Sequence, residues 1–130
     1  MNRYKQREQA FCLIFQSLFG ENKPEEIILA LEEEGEEIGE YSKELLFGVC
    51  EKSEELDGII SEFSTSWKIS RISKVNLSLL RLAVYEMKYV DDVPDSVAIN
   101  EAVELAKKYS TKEDSSFVNG ILGAYSRSKA

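Results

Sequence analysis

Apolar residues recur at three- and four-residue intervals along almost the whole chain, and no stretch alternates residue by residue as a half-buried strand does. Over residues 3–19, Phe11, Ile14, Phe15 and Leu18 fall at i, i+3, i+4 and i+7 and predict one buried helix face, ended by Gly20 and Asn22. Pro24 opens a second helix, with Glu25 and Glu26 in its first turn and Ile27, Ile28 and Leu31 as its stripe. The glycine- and glutamate-rich stretch from Glu32 to Glu40 reads as a solvated loop. Ser42 is the expected N-cap of the next helical run, in which Gly48 and Gly58 mark either close packing or a break between two helices.

From about Ser73 to Val90 the apolar residues cover two faces, Val75, Leu79 and Leu82 on one and Leu77, Leu80, Val84 and Met87 on another. A helix apolar nearly all round is the buried centre of a bundle, so its few polar residues, Asn76, Arg81 and Glu86, are informative. Asp91 to Pro94 forms a turn, and Asp95 or Ser96 caps a helix that turns Ala98, Ala102, Leu105, Ala106 and Tyr109 inward. Thr111, with an acid three residues on, starts a last helix with Phe117, Val118, Ile121, Leu122 and Tyr125 on its core side. The expected architecture is all-α: six or seven helices in one domain, residues 1–130. The central helix is buried between two small subdomains, an N-terminal lobe of about 1–64 and a C-terminal lobe of about 65–130.

Composition narrows the chemistry. With 43% hydrophobic residues among 130, the chain has enough apolar surface for a core. It contains no histidine, which removes the commonest general base and metal ligand. No phosphate-binding glycine loop, dinucleotide motif or paired-cysteine motif is present, and acid pairs such as Glu101 and Glu104 read as solvated surface. No catalytic residue, metal or cofactor is expected. Cys12 and Cys50 sit in apolar helical patterns and read as buried, reduced thiols. No apolar run is long enough for a signal peptide or a membrane span, so a cytoplasmic location is expected.

The net charge is −8, unevenly spread. Residues 21–64 sum to −12, whereas residues 1–20 sum to +2 and residues 65–90 to +4. The overall acidity opposes general polyanion binding but leaves room for a local basic patch. Arg3, Lys5 and Arg7 crowd the first helical turns, with Tyr4 and Gln6 among them. Arg3 and Arg7 are spaced i, i+4 and project from one face. Guanidiniums grip phosphates in bidentate fashion, tyrosine stacks on bases and glutamine reads a base edge, a combination suited to single-stranded RNA. An ordinary charged helix start is the plain alternative. A second anomaly is Asn119-Gly120 inside the last helix, where Gly costs roughly 1 kcal/mol relative to Ala. Close approach of another helix would explain Gly120, leaving Asn119 to bond across to a neighbour.

Four stretches, "REQAFCLIFQ", "LLRLAVYEMKY", "VPDSVAINEAVELAKKY" and "FVNGILG", resemble in order and spacing the NusB family of bacterial transcription antitermination factors over nearly the full length. The resemblance implies two helical subdomains and no enzymatic activity. It implies binding of the boxA element of ribosomal RNA leaders together with the ribosomal protein NusE, and indirect action on the RNA polymerase elongation complex. The implied RNA contacts are Arg3, Tyr4, Lys5, Gln6 and Arg7 at the start of the first helix, with Lys112, Phe117 and Asn119 near the last. Relatives often carry a lysine directly before Phe-Val-Asn-Gly, where this chain has Ser116. The implied partner contacts are Phe15 on the first helix and Asn76 on the central one, where relatives commonly carry an acid. The competing readings are a protein scaffold without an RNA role, and a helical regulatory module akin to the N-terminal domain of ribosomal RNA cytosine methyltransferases. The latter requires a separate catalytic chain.

Overall fold

The computed structural model describes all 130 residues, which form seven helices and no strand. The helices are α1 (Arg3–Ser17), α2 (Pro24–Glu33), α3 (Glu40–Glu51), α4 (Ser53–Phe63), α5 (Lys74–Tyr89), α6 (Asp95–Tyr109) and α7 (Lys112–Ser128), with one 3-10 turn at Ile69–Arg71 before α5. Their ends follow from local chemistry. The Asn2, Ser73 and Thr111 side chains accept hydrogen bonds from the backbone N–H groups of Lys5, Asn76 and Asp114, capping α1, α5 and α7. Gly20 and Gly35, both at φ +91°, adopt the left-handed conformation in the turns that follow α1 and α2.

Two predicted caps are corrected. Helix α3 begins at Glu40, after Gly39, and its first donors are met by α1: Gln9 Oε1 accepts from the N–H of Gly39, and Gln6 Oε1 from that of Tyr41. Ser42 lies inside the first turn, fully buried, donating to the Gln6 carbonyl. Gly39 is required there, because a Cβ would stand 2.2 Å from the Gln6 side chain. At α6 the capping position is Pro94; Asp95 instead accepts from Ser126 and Lys129 of α7's end.

Helix α5 packs against α1, α3, α4, α6 and α7, and the buried apolar residues form one continuous core around it. Both faces expected from the pattern are used, and Leu79, Leu80 and Val84 are fully buried. Gly48 of α3 marks close packing: a Cβ there would lie 2.2 Å from the Tyr85 ring. Gly58 has open space, and the break between α3 and α4 falls at Lys52. Gly120 is corrected: nothing lies within 4 Å of its would-be Cβ, so no helix approaches it. Cys12 is exposed and Cys50 half-buried, and neither forms a disulfide.

The core holds one charged cluster. Arg7 of α1 is 5% exposed, and its Nε lies 2.8 Å from Glu86 Oε1 and its Nη2 2.9 Å from Oε2. Tyr41 of α3 donates its hydroxyl to Glu86 Oε2 at 2.5 Å. Three helices are thus joined at one fully buried carboxylate. Nearer the surface, Arg81 of α5 grips Asp57 of α4 through two 2.7 Å bonds.

Three outcomes are expected. Arg7→Ala strands the Glu86 charge and lowers the unfolding free energy by about 3–5 kcal/mol in urea titration. Burial, followed by the hydrogen bond to Glu86 and its charge, raises the Tyr41 hydroxyl above its ordinary pKa. A raised folded-state pKa gives stability that is present below the unfolded value, about 10, and lost as pH rises beyond it. Tyr41→Phe therefore flattens the alkaline decline, measured by denaturation on both sides of about pH 10. Gly120→Ala gains helix propensity without a clash and stabilises by up to about 1 kcal/mol, whereas Gly48→Ala must displace Tyr85 and melts below Gly120→Ala in a thermal scan.

Candidate nucleic-acid interface

The Asn2 cap orients α1 so that Arg3, Tyr4 and Lys5 lie exposed at one end of the bundle. Arg3 Nη1 sits 3.1 Å from Asp92 in the α5–α6 turn, and its guanidinium lies over the Tyr41 ring, 4.2 Å from the centroid. This pair is solvent-exposed and therefore weak, so Arg3 can exchange Asp92 for another anion at little cost. Lys5 is exposed and enters no ion pair. Tyr4 is 52% exposed, its ring free to stack.

Arg7 and Gln6 depart from expectation. The i, i+4 spacing does put Arg3 and Arg7 on one side of α1, but that side faces the end of α5. Arg7 spends its donors on Glu86, so the expected pair of solvent-facing guanidiniums is a single one, Arg3. The signal was present: Arg7 stands in phase with the apolar stripe of Ala10, Phe11 and Ile14, all buried. Gln6 is half-buried, with Nε2 on the Met1 carbonyl and Oε1 on the Tyr41 N–H, so its amide positions α3.

Basic character continues from Lys5 across the ends of α6 and α7. Lys5, Glu8 and Cys12 share a face of α1, and Glu8 accepts from Lys108 Nζ at 2.6 Å and from the Tyr109 hydroxyl at 2.7 Å. Those two hydrogen bonds hold the Glu8 carboxyl below its ordinary pKa. Tyr109, expected inside, is 42% exposed, with its ring centroid 5.1 Å from that of Phe11. Lys112 and Asn119 are exposed and, seven residues apart, occupy one flank of α7. Phe117 is half-buried and lies with Gly120 on the opposite flank, toward the loop after α4. Sequence reasoning missed Glu8, Lys108 and Tyr109, whose meeting depends on how α6 lies on α1.

The two expected partner contacts separate. Phe15 is half-buried and lines an apolar groove of about 320 Å³ with Phe11, Cys12, Val75 and Tyr109. Exposed Phe19 stacks edge-on against Phe15 at 4.9 Å. Asn76, one residue beyond Val75, turns instead into a different cavity, between the Trp67–Ser73 segment and the start of α7. It is 4% exposed, and its Oδ1 has no hydrogen-bond partner, a deficit that costs about 1–3 kcal/mol. No helix of the chain is long and apolar enough to cross a membrane.

Known proteins share both sequence and architecture with this chain. A transcription antitermination protein NusB of Acetivibrio thermocellus is 51% identical over 126 residues, spanning 95% of this chain and 87% of that protein. The solved structure of T. maritima NusB superposes with a TM-score of 0.85 at 33% identity, covering 98% of this chain and 92% of that one. A structure described as antitermination factors NusB and NusE in complex with double-stranded RNA matches with a TM-score of 0.83 at 31% identity, covering 98% and 99%. The model of the NusB family matches residues 4–127, from the first turn of α1 to the last turn of α7, and on these grounds the chain belongs to the NusB family.

Proposed function

We propose that the chain is a transcription antitermination factor that binds single-stranded, boxA-type RNA of ribosomal RNA leaders together with the ribosomal protein NusE. Its influence on the RNA polymerase elongation complex is indirect, through that assembly, and it works in the cytoplasm. The carrying observation is the near-complete structural match to a chain of a structure described as NusB and NusE in complex with double-stranded RNA, on a chain that exposes a basic turn at Arg3–Lys5. Arg3 and Lys5 bind phosphates, Tyr4 stacks on a base, and Lys112 and Asn119 extend the contact along one flank of α7, with Phe117 reached across the helix from them. Gln6 and Arg7 act indirectly, their side chains fixing the helix that carries the others. The apolar groove at Phe15 receives NusE, since an exposed aromatic cluster is suited to a protein surface. No side chain is assigned a catalytic role.

The test is RNA affinity with and without NusE at two salt concentrations, using fluorescence anisotropy of a labelled boxA-type RNA. Binding is expected to weaken with salt, and Lys5→Ala is expected to reduce the salt slope by about 0.7, the value for one phosphate on a single strand. Phe15→Asp is expected to abolish the enhancement by NusE while leaving RNA binding by the chain alone unchanged. Binding that is indifferent both to salt and to Lys5→Ala rules out this assignment.

A further inference from the structure

Two cations at the α1 end of the bundle are held in the same way. The Arg3 guanidinium lies 4.2 Å over the centroid of the Tyr41 ring, and its Nη1 is 3.1 Å from each carboxylate oxygen of Asp92. Lys108 Nζ lies 5.5 Å from the centroid of the Tyr109 ring and 2.6 Å from Glu8 Oε2. Each positive charge thus rests near a tyrosine ring and is closed off by a carboxylate from elsewhere in the chain. The tyrosines are anchored, Tyr41 by donating to Glu86 and Tyr109 by donating to Glu8. The carboxylates are held unequally: the Asp92 side chain is 71% exposed and accepts only from Arg3, whereas that of Glu8 is 21% exposed and accepts from two donors. The guanidiniums also differ. Arg7 and Arg81 present both Nε and Nη2 to their carboxylates, but Arg3 turns one nitrogen to Asp92 and leaves Nε and Nη2 without a partner in the chain.

We propose that Asp92 and Glu8 stand in for RNA phosphates in the free chain, and that the strand engages Arg3 and Lys108 by replacing them while the rings of Tyr41 and Tyr109 keep the two cations in place. The inference rests on the RNA-binding reading above and assigns the regulation of that same site; Tyr41 and Tyr109 are its positioning residues. At Arg3 the exchange improves the geometry, because a phosphate met by two nitrogens of the fork replaces a carboxylate met by one. Opening the exposed pair costs little. The tyrosine face attracts the guanidinium whichever anion it holds, so Arg3 stays at the corner throughout. At Lys108 the exchange leaves Glu8 still bonded to the Tyr109 hydroxyl, so the released carboxylate keeps a donor. A carboxylate on each cation lowers the affinity for polyanions of every kind. Only a strand that gains further contacts, from its bases or from the protein partner, is then retained.

Affinity of the full chain for a labelled single-stranded RNA of boxA type, read by fluorescence anisotropy at low salt beside the melting temperature of each variant, tests the exchange. Asp92→Asn is expected to tighten binding about threefold without raising the melting temperature, the scale of an exposed ion pair. Asp91→Asn is the control: it makes the same change of charge at the adjacent exposed position, which enters no ion pair, and is expected to have a smaller effect. In an Arg3→Ala background, Asp92→Asn is expected to change nothing. Glu8→Gln is expected to tighten binding similarly, and only while Lys108 is present. Tyr41→Leu and Tyr41→Phe both remove the hydroxyl that meets Glu86, so the ring alone separates them; Tyr41→Leu is expected to bind about threefold more weakly than Tyr41→Phe. If RNA binds in a Lys5-dependent manner while Asp92→Asn and Glu8→Gln bind no tighter than the parent, the exchange is refuted and the α1 interface stands. If Asp91→Asn tightens binding as much as Asp92→Asn, or the gain survives without Arg3, the effect is one of net charge and the exchange is equally refuted. If no RNA binds under any condition, the function assignment fails and the exchange with it.

Discussion

One buried carboxylate organises this bundle. Glu86 is fully enclosed on α5, and an isolated charge there would be prohibitively costly. Arg7 from α1 and Tyr41 from α3 supply the donors that make it tolerable. The geometry is demanding, because a guanidinium fork must meet both oxygens while a phenol reaches one of them. The cluster thereby fixes the rotation and height of α1 against α5. The same register then determines where Gln6 and Gln9 arrive, namely at the open N-terminus of α3, whose donors they satisfy.

The exposed corner depends on this buried one. Arg3 lies one turn before Arg7 and, with α1 fixed, hangs over Tyr41 beside Asp92. Tyr4 and Lys5 then point to solvent, and Glu8 reaches the end of α6. The division of labour among the amino-terminal cations is thus physical: Arg7 is desolvated and structural, Lys5 is hydrated and available, and Arg3 is held only by exposed contacts. A strongly acidic chain, at −8 overall, concentrates its negative charge in residues 21–64 and presents cations at two ends of the bundle. Local fields of this kind guide an anionic strand to the cationic surface and away from the acidic one.

Gly120 illustrates how a residue can be conspicuous without serving the purpose it suggests. Its position in a helix interior suggested helix–helix contact, and Gly48 shows what such contact looks like: a tyrosine ring occupies the space a Cβ would need. At Gly120 that space is empty. The cost to helix stability, about 1 kcal/mol, therefore buys no packing. An open groove beside Phe117, with an unsatisfied amide at Asn76 nearby, is the feature that remains.

The period of the apolar residues was sufficient to determine the helix content, most helix limits and the central place of α5, because those depend on spacing within a segment. The cap at Thr111 was legible for the same reason: donor and acceptor lie three residues apart. The role of Lys5 as an exposed cation also followed from local position. The fates of Arg7, Ser42, Cys12 and Tyr109 did not, because each depends on a neighbour 25 or more residues away or on the absence of one. Arg7 is buried by a carboxylate 79 positions along, Ser42 by a carbonyl 36 positions back, and Tyr109 is drawn outward by a carboxylate 101 positions earlier. Periodicity reports which face a side chain occupies; only the packing of one helix on another decides whether that face meets water, a partner charge or an empty groove.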